Sequence, residues 1–322
     1  MVARDPVRRC RHPQDHRAWG TTIPRPVRVL RLDHRCRRTP HGGGTMSKIL
    51  AFGASGPIAG LVLPELARRG AHVRAFVRRP DQRDPALAHG ASEVAVGDLA
   101  DASSVADALT GMHAVFYIAP VDLPDQAAIG QRLVAQAVHA GVTRFVFSSV
   151  IHPVLSLPNH AAKAPVEQAM INSGLEFAIL HPGVLYQNFA AAWREITERR
   201  ILAEPWSNET RHSRVDYRDV AEVAAIALTE DRLINGTFEL CAEAKLNRRE
   251  IAAMLADVTG HEVEARRIDP ATLGPRANAL RPMFEHYDRH GLHGNALTLR
   301  AILGREPRGL RAYFEDLANG RC

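Results

Sequence analysis

The sequence predicts an α/β fold: a doubly wound, Rossmann-type parallel sheet followed by a small, mostly helical C-terminal lobe. Three observations carry that prediction. From Lys48 onward, short apolar runs alternate with helix-length stretches. The runs are apolar throughout instead of alternating with polar residues, as strands buried on both faces require. The first run passes into a helical stretch through Gly53-Ala54-Ser55-Gly56, the glycine-punctuated turn with which such sheets begin.

Each element follows in order. Lys48–Phe52 is the first strand, and a helix is expected from near Pro57 or Ile58 to Arg69. A strand joined to a helix by glycines leaves the helix's first N–H groups aimed at one spot, which suits a phosphate. Gly53, Ser55, Gly56, Pro57 and Ile58 are therefore expected to cradle a pyrophosphate, with Ala59 as the small residue at the strand–helix contact. Pro57 falls where a helix loses nothing by lacking an N–H. His72–Val77 is the second strand, ending in Arg78-Arg79. An acid there would take ribose hydroxyls; two arginines favour a 2′-phosphate, hence NADP(H) over NAD(H). The other reading of the pair is a solvated basic loop.

Ser92–Val96 is a third, short strand that closes at Gly97-Asp98-Leu99. Two roles are open to Asp98, an acceptor for an adenine amino group or a turn aspartate, and Leu99 is placed to pack on the ring. A helix is expected from Ser103-Ser104 to about Thr110, and His113–Ile118 is the fourth strand. Its end, Ala119-Pro120, is small enough to lie beneath a cofactor. Gln126–Ala140 carries a core-facing stripe at Ile129, Leu133, Val134, Ala137 and Val138. Thr143–Phe147 is the central strand, and Ser148-Ser149 follow it, either to hydrogen-bond substrate or nicotinamide or simply to end the strand. A helix over Asn159–Met170 contains Pro165, tolerable only in a first turn or at a kink. Leu175–Leu180 is the next strand. Later elements are a helix at Arg218–Thr229, a strand near Thr237–Cys241, a helix at Arg248–Val258 capped by Asn247, and a short strand within His261–Ile268. From Pro270 the chain reads as helical, broken at Pro275 and Pro282.

Composition bounds the rest. At 322 residues the chain suits one large or two small domains. No run approaches the roughly 18 apolar residues of a membrane span. Cys10, Cys36, Cys241 and Cys322 lack metal or redox spacing, which points to a reducing compartment and a cytoplasmic location. His286, His290 and His293 have no matching Cys or acidic set, so no metal is expected. Residues 1–45 hold eleven Arg, no Lys and three Asp, a net +8, so the remaining chain carries −2 of the overall +6. The basic excess belongs to that segment alone. It lacks the aromatic interleaving of a nucleic-acid arm, its prolines spoil a transit helix, and no apolar run marks a secretory signal. It is read as a disordered extension, or as an upstream start with Met46 the natural one. The domain reading is 1–45 extension, 46–185 dinucleotide-binding core, and 186–322 completing the fold and covering the cleft.

Gly-Ala-Ser-Gly-Pro-Ile-Ala, Phe-Val-Arg-Arg-Pro, Gly-Asp-Leu and Lys163-x-x-x-Glu167 resemble the NmrA-like, atypical short-chain dehydrogenase/reductases. So do Ser-Gly-Leu-Glu-Phe-Ala-Ile-Leu-His-Pro-Gly, Gln187-Asn188-Phe189, Val215-Asp216-Tyr217-Arg218-Asp219-Val220-Ala221 and Leu303-Gly304-Arg305-Glu306-Pro307. The resemblance spans about 46 to 315. It implies an NADP(H)-binding core with a lobe over the substrate cleft, in a family that ranges from quinone and isoflavonoid reductases to non-catalytic redox sensors. The superfamily's usual catalytic set is a Ser and Tyr-x-x-x-Lys. Lys163 matches the lysine, but Asn159 stands at the tyrosine position. Three candidates remain for the proton that hydride transfer demands. Lys163 serves if desolvated, and it also suits the nicotinamide ribose. His160 titrates in the right range but points about 100° around the helix, and its other reading is an exposed first-turn residue. Tyr186 is either an acid or a packing aromatic.

Two functions compete. The first is an NADPH-dependent reductase of a small apolar or aromatic carbonyl or quinone, with a homodimer as one assembly it could form. The second is an NADP(H)-sensing regulator that binds a protein partner. Neither reading involves a membrane or nucleic acid.

Overall fold

The first strand, β1 (Lys48–Phe52), shows why the sheet forms. Ile49 and Ala51 face one apolar cluster, while Leu50 and Phe52 face another. Successive side chains of a strand point to opposite faces, so an all-apolar run is buried on both sides. The computed structural model describes residues 47–120, 123–242, 244–274 and 279–321. The arginine-rich stretch read as an extension lies outside them.

Seven strands run parallel in the order β3-β2-β1-β4-β5-β6-β10. These are β2 (His72–Val77), β3 (Glu93–Val96), β4 (Ala114–Ile118), β5 (Arg144–Ser148), β6 (Glu176–Pro182) and β10 (Gly236–Leu240). One face is covered by α1 (Val62–Arg68) and α8 (Tyr217–Thr229), the other by α3 (Ala102–Leu109), α4 (Gln126–His139) and α6 (Ala164–Ile171). The strand order reverses between β1 and β4, and such a switch point opens a crevice at the strands' carboxyl ends. α8 and the outermost strand β10 come from beyond residue 185, so the central sheet is completed by the C-terminal half.

That half is more than helical. Its strands β11 (Lys245–Leu246) and β9 (His212–Val215) join β7 (Val184–Leu185) in a three-stranded sheet, and β8 (Ile201–Glu204) pairs in parallel with β12 (Glu264–Arg267). Its helices are α7 (Asn188–Arg199), α9 (Arg248–Thr259), α10 (Arg281–His290), α11 (Leu297–Leu303) and α12 (Leu310–Ala318). Tyr186, Phe189, Ile196, Ile251, Leu255, Tyr313 and Phe314 form a separate apolar cluster there. Asn247 caps α9 as expected, in a reciprocal capping box with Glu250.

Four boundaries differ from expectation, each for a local reason. The first helix starts later, with a 3₁₀ turn at Ala59–Leu61 ahead of α1, because Gly53–Ile58 is spent on the turn itself. Asp101, not a serine, caps α3, accepting from the N–H groups of Ser103 at 3.0 Å and Ser104 at 3.1 Å. The 159–170 helix is two pieces, α5 (Pro158–Ala161) and α6, because Pro165 cannot donate back to the preceding turn. Pro282 does not break α10; it sits in the first turn, where its missing N–H costs nothing. Pro275 lies outside the described residues.

Candidate functional site

Between β1 and α1 the backbone folds into a cradle. Gly53 has φ +73°, a conformation that residues with a Cβ rarely adopt, and the Gly56 N–H closes the turn onto the Gly53 carbonyl at 2.9 Å. The N–H groups of Ser55 and Ile58 have no acceptor among the described residues. These are the donors a pyrophosphate would take. Ala59 does lie against Gly53, but the closest approach is at Gly60, where a Cβ would come within 2.9 Å of the Ala54 carbonyl oxygen. That contact had no signal in the spacing of Gly53, Gly56 and Ala59.

Arg78 and Arg79 are both exposed just past β2, yet they differ. Arg79 turns to Asp81, its Nε 3.1 Å from Oδ1. The Arg78 guanidinium makes no ion pair among the described residues, which leaves it for a 2′-phosphate. Asp98 behaves as a turn aspartate, its Oδ1 accepting from the Ala100 N–H at 2.8 Å, while its side chain stays exposed. Leu99 is buried in the same cluster as Phe52 and Phe76. Ala119 and Pro120 follow β4 at the switch point. Glycine cradle, unpaired arginine and small residues together fit a phosphorylated dinucleotide.

Beyond β5 the structure brings together side chains that the sequence left separate. Lys163 is only 6 % exposed, and its Nζ donates to Gln126 Oε1 at 2.7 Å. The Gln126 amide in turn donates to the Pro120 carbonyl at 3.1 Å. Burial, with no carboxylate paired to it among the described residues, brings the Lys163 ammonium down to about 8. Glu167, four residues on, accepts from the Ser149 hydroxyl, and His181 Nε2 lies 3.0 Å from its Oε1. The helix begins at Lys163, so its side chain swings to α4 while Glu167 faces β5 and β6.

The remaining candidates are re-placed. Ser148 is turned to the α8 face, buried, and accepts from the Tyr217 hydroxyl at 2.9 Å. Strand alternation explains this: Phe147 faces α4, so Ser148 faces α8. It does not present its hydroxyl to the crevice. His160 is not an exposed first-turn residue but fully buried. Its Nδ1 lies 3.1 Å from the His152 carbonyl and its Nε2 2.7 Å from the Tyr287 hydroxyl. Both nitrogens are engaged within the protein, and burial lowers its pKa. Tyr186 is 2 % exposed against the Tyr313 ring, and burial raises its pKa. That is the packing reading. Gln126 and Tyr287 carried no motif, because each acts through a contact distant in sequence. His286 and His290 have ring centroids 4.7 Å apart, and no cluster of three metal-ligating side chains forms among the described residues. No helix among them is long and apolar enough to cross a membrane.

The strand order and the glycine cradle at its switch point define a doubly wound, Rossmann-type dinucleotide-binding fold. Comparison narrows the class. The sequence model of the NmrA-like family matches residues 45–314, and the chain belongs to that family. An NAD(P)H azoreductase from Xenophilus azovorans is 30% identical over 217 residues, covering 67% of this chain and 75% of the relative. The structure of an NADPH-dependent quinone oxidoreductase from Escherichia coli, complexed with NADPH, superposes with a TM-score of 0.74 at 21% identity, covering 84% of this chain and 100% of that one. A Citrobacter sp. triphenylmethane reductase complexed with NADP(H) also gives 0.74, at 19% identity over 84% of this chain and 100% of the other.

Proposed function

We propose that this chain is an NADPH-dependent reductase of a small apolar or aromatic acceptor of quinone or azo type, with Lys163 as the proton donor. The observation that carries this is the buried Lys163 ammonium, held by Gln126 and with no carboxylate partner among the described residues. The other polar groups nearby are committed: the Ser149 proton to Glu167, Ser148 to Tyr217, and His160 to His152 and Tyr287. The family membership and the azoreductase and quinone oxidoreductase likenesses support a reductase over other dinucleotide-dependent chemistry.

When bound, NADPH supplies the hydride. The Ser55 and Ile58 N–H groups would hold its pyrophosphate, and Arg78 its 2′-phosphate. As the acceptor takes the hydride, negative charge develops on its oxygen or nitrogen. Lys163 Nζ gives that atom a proton and is left as a neutral amine, which solvent reprotonates. A donor at about 8 is matched to neutral conditions, since proton transfer is fastest when the donor's pKa lies near the working pH. A quinone or azo acceptor suits the absence of a phenol at Asn159, because its developing anion is stable and asks less of the protein's acid.

Asn159 also favours a second reading, a sensor that binds NADP(H) without turnover. The experiment titrates the full chain with NADPH and NADH by fluorescence, then follows loss of the reduced-nicotinamide band with a quinone and azo panel. NADPH binding with turnover is expected. NADPH binding with no turnover on any acceptor would replace the reductase with the sensor, and absence of binding would sink both.

A further inference from the structure

The segment that delivers Lys163 is poorly held by its own bonds. α5 is four residues long, its N-cap Leu157 offers no side-chain acceptor, and Pro165 interrupts its passage into α6. A helix this short cannot stabilise itself, since nucleation costs more than one turn returns. An anchor from outside holds it. His160, within α5, points its Nδ1 at the His152 carbonyl, so that nitrogen carries the proton. Nε2 is therefore the acceptor, and the Tyr287 hydroxyl donates to it at 2.7 Å, from α10 and 127 residues along the chain. The Lys163 N–H then donates to the His160 carbonyl at 2.9 Å. One hydroxyl of the C-terminal half thus reaches the residue that fixes the Lys163 backbone.

We infer that Tyr287 is a positioning residue for Lys163, acting through His160, so that the C-terminal half sets where the proton donor stands besides covering the crevice. This rests on the reading of Lys163 as the donor. The surroundings support a directional bond. α10 presents Tyr287 and His286 to His160, the 151–157 loop presents the His152 carbonyl, and the His212 ring meets Tyr287 at 5.7 Å. Around Lys163, α4 presents neutral Gln126, while Glu167 on its own helix is held by Ser149 and His181. Ile151, Leu157, Trp206 and Phe284 pack in the same cluster as the Tyr287 ring, so removal of the hydroxyl alone leaves the packing in place.

The chain contains three lysines, Lys48, Lys163 and Lys245, so protein grown on lysine labelled with carbon-13 at Cε has three side-chain signals to titrate by NMR. Lys163→Arg identifies the one that matters. In Tyr287→Phe the loosened segment admits water to Lys163. Its midpoint then moves upward from about 8 towards an ordinary lysine, by roughly one unit. With an active acceptor, kcat falls by roughly tenfold while KM for NADPH stays within about twofold. A folded Tyr287→Phe with unchanged midpoint and unchanged kcat would overturn the inference. Should that variant not fold, His160→Gln is set against His160→Leu. The glutamine oxygen can accept from Tyr287 where the ring nitrogen did, so the midpoint is expected to stay near its wild-type value in Gln and rise in Leu; equal midpoints would overturn it. If the wild-type chain reduces nothing, the reductase reading fails, and the NMR titration still decides this one.

Discussion

Lys163 is one of only three lysines among the 41 Lys and Arg residues of the chain, and it stands where arginine could not serve. A guanidinium does not release its proton in proteins, whereas a desolvated ammonium does. Burial has a cost that pH reveals. The folded-state value near 8 lies below the 10.5 of an ordinary lysine, so the folded state binds fewer protons than the unfolded chain between those values. Stability therefore rises with pH across that window, by up to about 1.4 kcal/mol per unit, and the full penalty is present below about pH 8. Urea unfolding at pH 7.5 and 10 is expected to show this rise in the wild type and its loss in Lys163→Met. The same variant should reduce acceptors about 10²- to 10⁴-fold more slowly. Arg78→Ala is expected to weaken NADPH binding by about tenfold or more while leaving NADH unchanged, since a charge-assisted phosphate contact is worth about 1.5–3 kcal/mol. Equal losses for both cofactors would remove Arg78 from the 2′-phosphate. The glycine turn, the arginines after β2 and the place of Lys163 after β5 were legible because each depends on residues close in sequence. The sequence left Ser148 open between meeting a ligand and ending the strand, because the outcome depends on which face of β5 it occupies; it ends β5 and accepts from Tyr217.

Two sequence motifs without an evident role become partners at the scale of elements. Asp219, fully buried in the first turn of α8, accepts from the Arg308 backbone N–H at 2.7 Å and from Arg305 Nη2 at 2.9 Å, and the Arg308 guanidinium also reaches it. The Val-Asp-Tyr-Arg-Asp-Val-Ala and Gly-Arg-Glu-Pro stretches are thus two halves of one latch between α8 and the segment joining α11 to α12. Asp216 caps α8 and pairs with Arg218, which also reaches Asp316 of α12 at 2.8 Å. Asp219→Ala removes the buried carboxylate while the part-exposed arginines keep Glu222, so the cost is the lost charge-assisted hydrogen bonds, about 1.5–3 kcal/mol. Chemical denaturation measures the loss, and hydrogen exchange is expected to rise first in α12. Nothing in local propensity announces this latch, because the partners are 86 and 89 residues apart.

For the whole molecule, the acid limb of stability follows from a buried imidazole between the sheet and the C-terminal helices. His212 is 1 % exposed, with its ring 5.0 Å from Trp206 and 5.7 Å from Tyr287, and burial lowers its pKa to about 3. Its folded value lies below the unfolded one, so the stability it permits is complete above about pH 6.5 and is lost as the unfolded chain takes up the proton below that. The decline should be as steep as about 1.4 kcal/mol per pH unit for this one group, and His212→Phe should flatten it in urea titrations between pH 6.5 and 4. An unchanged slope would show that other groups set the acid limb. By itself the sequence determined the alternation of strand and helix, the glycine turn and the basic residues after β2. Each depends on periodicity or on backbone conformation within a few residues. Only the tertiary structure decided what each polar side chain is worth. It sent Lys163 to Gln126 and Glu167 to Ser149, buried His160 against Tyr287, and drew α8 and β10 back into the sheet. Those outcomes depend on which faces meet across a hundred residues or more, and burial and pairing, not residue type, determine whether such a group can hold or release a proton.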